Sequence, residues 1–152
     1  MGDATEITNL LHRYAELMDA ARFDDVGELM AHCTFFHADD DTPLVSGAEA
    51  IAGHYRSVNV VHADGTLRTK HVTTNPIIEI ADDTATVRSM YTVLQQTDEL
   101  PLPPIIAGRY HDRFARLDGV WAFTERRFFV DLVGDLRHHL TFELPPDPPV
   151  RS

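Results

Sequence analysis

The chain has 152 residues, 43% of them hydrophobic, and a formal net charge of −11 from 24 acidic and 13 basic side chains. That length suits one domain able to bury roughly two thirds of its unfolded surface. The acidic balance argues against nucleic acid or an anionic membrane as partner, since both call for a positive face. The single Cys33 excludes an internal disulfide and a thiolate metal cluster. No apolar run reaches the ~18 residues of a membrane span, and the N-terminus lacks a basic-then-apolar leader, so a cytoplasmic location is expected.

Ile7, Leu10, Leu11, Tyr14, Leu17 and Met18 recur at helical spacing and predict an amphipathic helix over 3–20, capped by Asp3 or Thr5. A short helix over 24–31 follows, with Val26, Leu29 and Met30 inside, and then a short strand, CTFFHA. SGAEAIAGHYRSV reads as a third helix starting near Ser46 or Gly47 and burying Ile51, Tyr55 and Val58. The period then changes to two, predicting four long strands over 67–80, 84–96, 105–117 and 120–133. ADDT and LDGV are hairpin turns, the second with the Asp-Gly pair that favours positive φ. TDELPLPP between the second and third strands reads as a longer, mobile loop, and the tail PPDPPVRS as extended or disordered.

This order predicts an α+β domain over 1–140 with a Pro-rich tail at 141–152. A strongly curved, mainly antiparallel sheet with three helices across its concave face would form a cone. Alternate strand residues would line its cavity, and the first helix would close it.

His71 stands in a threonine-rich strand, RTKHVTTN, and alternation gives it the face of Thr69, Thr73, Asn75 and Ile77. It is either a core residue, a metal ligand or a base. Asp19 ends the first helix, where the helix dipole disfavours an acid. It is either a solvated acid beside Asp24 and Asp25 or an inward carboxylate that holds a histidine. A neutral imidazole held by a carboxylate is a usable general base near neutral pH. Tyr14 lies five residues before Asp19, about 140° round the helix, and by spacing alone is a core tyrosine.

On the later strands, alternation sets Ile106, Gly108, Tyr110 and Asp112 opposite Arg109, His111 and Arg113. It also sets Ala122, Thr124 and Arg126 opposite Trp121, Phe123, Glu125 and Arg127. One of the two adjacent arginines must point inward, and it needs an anion, either a side chain or a developing charge on substrate. His32 and His37 have no shared face, and the histidines of RHH at 137–139 read as an exposed patch. No dedicated metal site, phosphate loop or serine elbow stands out.

Taken together, LLHRYAELMDAARFDDVGELM, SGAEAIAGHY, KHVTTN and AGRYHDRFARLDGVWAFTERR resemble the SnoaL-like branch of the nuclear-transport-factor-2-like cone fold, over about residues 4 to 133. The branch includes scytalone dehydratase, bile acid 7α-dehydratase and hexachlorocyclohexane dehydrochlorinase. The resemblance implies that Asp19 orients His71 and that His71 abstracts a proton. It implies supporting roles for Tyr14 and Arg126, and pocket-wall positions for Phe36 and Tyr110. Tyr55, Asn75, Tyr91 and Ile106 complete the candidate pocket. The second histidine of scytalone dehydratase has no secure counterpart, since His111 falls on the wrong face.

The expectation is a cofactor-independent lyase, a dehydratase or related elimination enzyme, acting on a hydrophobic cyclic small molecule. The same dyad suits an isomerase or polyketide cyclase. The family also holds non-catalytic ligand-binding proteins and dioxygenase small subunits. No metal and no cofactor is expected. A homo-oligomer, trimer or dimer, is expected, with 134–145 helping the contact.

Overall fold

A computed structural model describes residues 2–144. Helix α1 (Asp3–Asp19) buries Ile7, Leu11, Tyr14, Ala15 and Met18 along one stripe, the face that periodicity marked. Its N-cap is Gly2 and no side chain caps it. Asp3 is drawn away instead, to both terminal nitrogens of Arg116 (3.0 and 3.1 Å) and to Trp121 Nε1 (3.1 Å). A partner on the sheet thus replaces the expected local cap. Helix α2 (Phe23–Leu29) and helix α3 (Ala48–Val58) pack together, and α3 opens from Gly47 at φ +89°, a conformation glycine adopts without strain.

Strands β1 (Thr34–His37), β2 (Val45–Ser46), β3 (Thr69–Ala81), β4 (Thr84–Gln96), β5 (Pro101–Leu117) and β6 (Val120–Val133) form one open sheet in the order β2-β1-β6-β5-β4-β3. Only β1 and β6 run parallel. The β5–β6 hairpin turns on Asp118 (φ 50°) and Gly119 (φ 80°), as its Asp-Gly pair predicts. Among the described residues no helix is long and apolar enough to cross a membrane.

Departures from simple alternation shape the sheet. The segment expected to be a long mobile loop is a tight turn: Thr97 and Leu100 exchange main-chain hydrogen bonds (3.0 and 3.2 Å), and β5 already begins at Pro101. The prolines there lack N–H groups, and the β4–β5 register is irregular across them. A bulge between Thr74 and Ile77 carries Asn75 at φ 57°. It turns Asn75 and Ile77 to solvent and Ile78 toward the core. Asn75 therefore leaves the row of His71, contrary to strict alternation, because the extra residue flips everything after it. A third irregularity pairs Arg113 with Glu125 but Phe114 with Phe123, so Thr124 is the extra residue. Trp121, Phe123 and Arg126 are consequently all buried, whereas unbroken alternation sets Arg126 on the other face.

The segment after β6 folds back on its own chain. Gly134 N–H donates to the Ile105 carbonyl (2.7 Å), Val60 N–H to that of His139 (2.8 Å), and Thr141 N–H to that of Val58 (3.0 Å). The proline-rich end of the tail, from residue 145, lies outside the described residues.

Candidate active site

Asp19 is the last residue of α1, and β3 begins beside it. Its Oδ1 accepts hydrogen bonds from the Thr69 hydroxyl (2.8 Å), the His71 main-chain N–H (3.0 Å) and His71 Nδ1 (2.6 Å). Its Oδ2 lies 3.1 Å from the same main-chain nitrogen. These donors offset the unfavourable end of the helix dipole. Positive φ at Arg68 (57°) re-aims the chain as it enters β3. Thr69 and His71, two apart, then point at the same carboxylate.

An ionised carboxylate only accepts, so Nδ1 carries a proton, and in a neutral imidazole Nε2 is then the nitrogen with the free lone pair. The pair is largely withdrawn from solvent, with side-chain exposures of 7% for His71 and 15% for Asp19. Both border a cleft of about 710 Å³ between α1 and β3, with Ala15, Thr73, Leu94 and Leu102 on its walls. The arrangement is a carboxylate-held imidazole on the wall of a partly apolar cleft, with a half-buried anion behind it.

The other candidates sit elsewhere. Tyr14 and Tyr55 share a 2.6 Å hydrogen bond inside the cone, and the Tyr110 ring meets Tyr14 edge-on at 6.0 Å. Tyr91 stacks on Tyr110 at 4.5 Å and donates to the Phe129 carbonyl (2.9 Å). Burial raises the phenol pKa of all four tyrosines, so they stay neutral. None of them borders the cleft at His71, nor does the half-buried Ile106. Phe36 faces the opposite side of β1 from the buried Phe35, beneath the Arg127 guanidinium at 4.7 Å. Asn75 is exposed beyond the bulge. His111 lies on the outer face against Phe129 (4.7 Å), as alternation predicts.

Arg126 is the inward arginine, and its anion is a side chain. Nε and Nη2 donate to the two Asp112 oxygens, both at 2.8 Å, with both side chains 0% exposed. The guanidinium lies 3.7 Å from the Tyr110 ring centre, 4.4 Å from Tyr14 and 5.1 Å from Phe123. Burial works against its charge, but Asp112 more than offsets that and holds the guanidinium pKa above its ordinary value. Burial also pushes the Asp112 carboxyl up, with Arg126 pulling it back.

His139 lay outside the expected site, since RHH reads as an exposed tail patch. It is 6% exposed, and its ring meets that of His71 edge-on at 6.2 Å. Burial, with His71 nearby, depresses its pKa to about 4, so it is neutral at physiological pH. Nothing in the periodicity of a coil segment marks it. Among the described residues no cluster of three or more His, Cys, Asp or Glu is placed to hold a metal ion.

The family model described as SnoaL-like domain matches residues 1–127. The chain belongs to the SnoaL-like family. Three solved structures, all from Novosphingobium aromaticivorans, illustrate how this SnoaL-like chain resembles its relatives in fold. One is a protein provisionally described as a scytalone dehydratase, with TM-score 0.71 and 20% identity over 99% of this chain and 95% of that one. Another is an NTF2-like protein with a cystatin-like fold, with TM-score 0.68 and 22% identity over 84% and 81% of the two chains. The third is the β subunit of a provisionally assigned aromatic-ring-hydroxylating dioxygenase, with TM-score 0.67 and 17% identity over 85% and 89%. A search of curated proteins finds no match.

Proposed function

We propose that this SnoaL-like protein is a cofactor-independent lyase that eliminates water or halide from a hydrophobic cyclic small molecule. The observation that supports it is the 2.6 Å contact between Asp19 Oδ1 and His71 Nδ1 on the wall of the cleft. His71 Nε2 takes a proton from a carbon acidified by a neighbouring carbonyl. The electron pair left on that carbon forms the new double bond as hydroxide or halide departs. The imidazolium returns its proton to a departing hydroxide, or releases it to solvent when halide departs, and Asp19 stabilises the cation while it lasts. Isomerisation or cyclisation would begin with the same proton transfer. Tyr14 and Arg126 then act from within the cone, holding α1 against the sheet rather than touching substrate.

The test is a screen of hydroxylated and halogenated cyclic compounds with wild type and His71→Ala. General-base loss is worth about 10²–10⁴ in rate, so turnover of a hit should fall at least a hundredfold. Unchanged turnover in the variant removes His71 as the base.

A further inference from the structure

We infer that the ligand of the cleft at Asp19 and His71 carries an anionic group, a carboxylate or phosphate, which Lys70 holds at the mouth. The inference rests on the proposed dyad and specifies its substrate class.

Lys70 is the only lysine in the chain, and the chain is strongly acidic, at −11. It is exposed on β3 between Thr69 and His71, on the face of its cross-strand partner Leu94 rather than that of the His71 ring, and with Leu94 it borders the cleft at the sheet edge. No hydrogen bond or ion pair among the described residues engages its ammonium. Arg68, also on the rim, is only loosely tied: Nε donates to the Gln96 carbonyl (3.1 Å), and Nη1 reaches Asp64 at 3.3 Å. His12 stands on the α1 side.

The acidic groups on the same walls are Asp19 and Glu16. The Asp19 charge is taken up by the Thr69 and His71 donors. Glu16 lies four residues from His12, one helical turn along α1. The β3 side of the mouth is therefore cationic beside walls that include Ala15, Ala20, Leu94 and Leu102. That suits an apolar ligand with one negative end. The acidic remainder of the molecule repels anions, so a local cation is needed to admit one.

An exposed ion pair is worth about 0.2–1 kcal/mol, which converts to a preference of roughly 1.5- to 5-fold. Low salt enlarges it. The probes are 2-naphthoate, 2-naphthyl phosphate and neutral 2-naphthamide, titrated calorimetrically at low ionic strength. Reductive ¹³C-methylation keeps the charge and gives one lysine resonance, distinct from the terminal amine. Wild type should bind 2-naphthoate about two- to fivefold more tightly than the amide, with the Lys70 resonance shifting to saturation. Lys70→Gln should bring the two affinities level, and Lys70→Arg should restore the preference.

Tighter binding of the phosphate than of the carboxylate points to a phosphorylated ligand, and the reverse to an acid. Equal binding of acid and amide by wild type, a preference that survives in Lys70→Gln, or no saturable binding of either anion each overturns the inference. His71→Ala separates it from the dyad reading. If the anion preference persists there while no wild-type turnover is found, only the lyase reading fails. If turnover depends on His71 without any preference for anions, only the Lys70 inference fails.

Discussion

Breaking the Asp112–Arg126 pair should have opposite pH signatures depending on which partner is removed. Both side chains are fully buried and joined by two 2.8 Å hydrogen bonds, and Arg126 Nη1 has no partner even in the intact protein. Removing one partner of such a pair typically costs about 3–5 kcal/mol, because the other charge is left buried and uncompensated. In Asp112→Asn the stranded group is a guanidinium, which does not deprotonate in a protein. Its aromatic cage of Tyr14, Tyr110 and Phe123 surrounds the guanidinium in the wild type as well, so those contacts do not lower the cost. The expected loss is about 3–5 kcal/mol, flat from pH 5 to 8. In Arg126→Met the stranded group is a carboxyl whose pKa burial already raises. A carboxyl with a raised folded pKa binds its proton more tightly when folded, so stability is greatest in acid and falls as pH rises above the ordinary carboxylate range. Arg126→Met should therefore lose about 3–5 kcal/mol at pH 8 and distinctly less at pH 5. Urea unfolding at both pH values measures this. With a slope of about 2 kcal/mol per M, the pH 8 loss is a midpoint shift of roughly 2 M. A double Asp112→Leu, Arg126→Met variant should be more stable than either single variant. A loss below about 1 kcal/mol at pH 8, or an Arg126→Met deficit that grows in acid, would refute the reasoning.

Asp19→Asn keeps the side-chain shape but removes the charge that sets the His71 tautomer. Once a substrate is found it should lower kcat about as much as His71→Ala, and the double variant little further, because the two act as a unit. His139 has a folded pKa of about 4 against an ordinary 6.5, so its contribution is fully present above 6.5 and is lost as pH falls through 4. At about 1.4 kcal/mol per unit, wild type should lose on the order of 3 kcal/mol across that window through this residue, and His139→Phe should show a shallower loss in urea titrations between pH 7 and 4. A Cβ at Gly108 would overlap the Phe129 carbonyl oxygen and the Tyr91 hydroxyl. Gly108→Ala should thus cost about 3 kcal/mol or more, read as a fall in thermal midpoint, with Tyr91→Phe recovering little because the main-chain overlap remains.

The order of elements was legible because each long segment carries one dominant period over most of its length. The α1 stripe shows at helical spacing, and β4 alternates buried and exposed along nearly its whole length. The shared face of Gly108, Tyr110 and Asp112 followed from the same rule, whereas Ile106, expected in that row, is half-buried and Ile105 is buried instead. So did the need for an inward arginine with an anion, and the pairing of Asp19 with His71 was expected from the family resemblance. Tertiary structure decided what depends on a single extra residue or on distant chain. One bulge moved Asn75 out of the His71 row, and another brought Arg126 to the face of Trp121 and Phe123. Asp112 is that arginine's anion because strand register sets the two residues opposite each other. His139 reached His71 through a coil segment that carries no period at all. Periodicity records which face a side chain takes while the backbone repeats. It is silent where the backbone stops repeating, and the dyad's histidine neighbour and the inward turn of Arg126 were settled at such places.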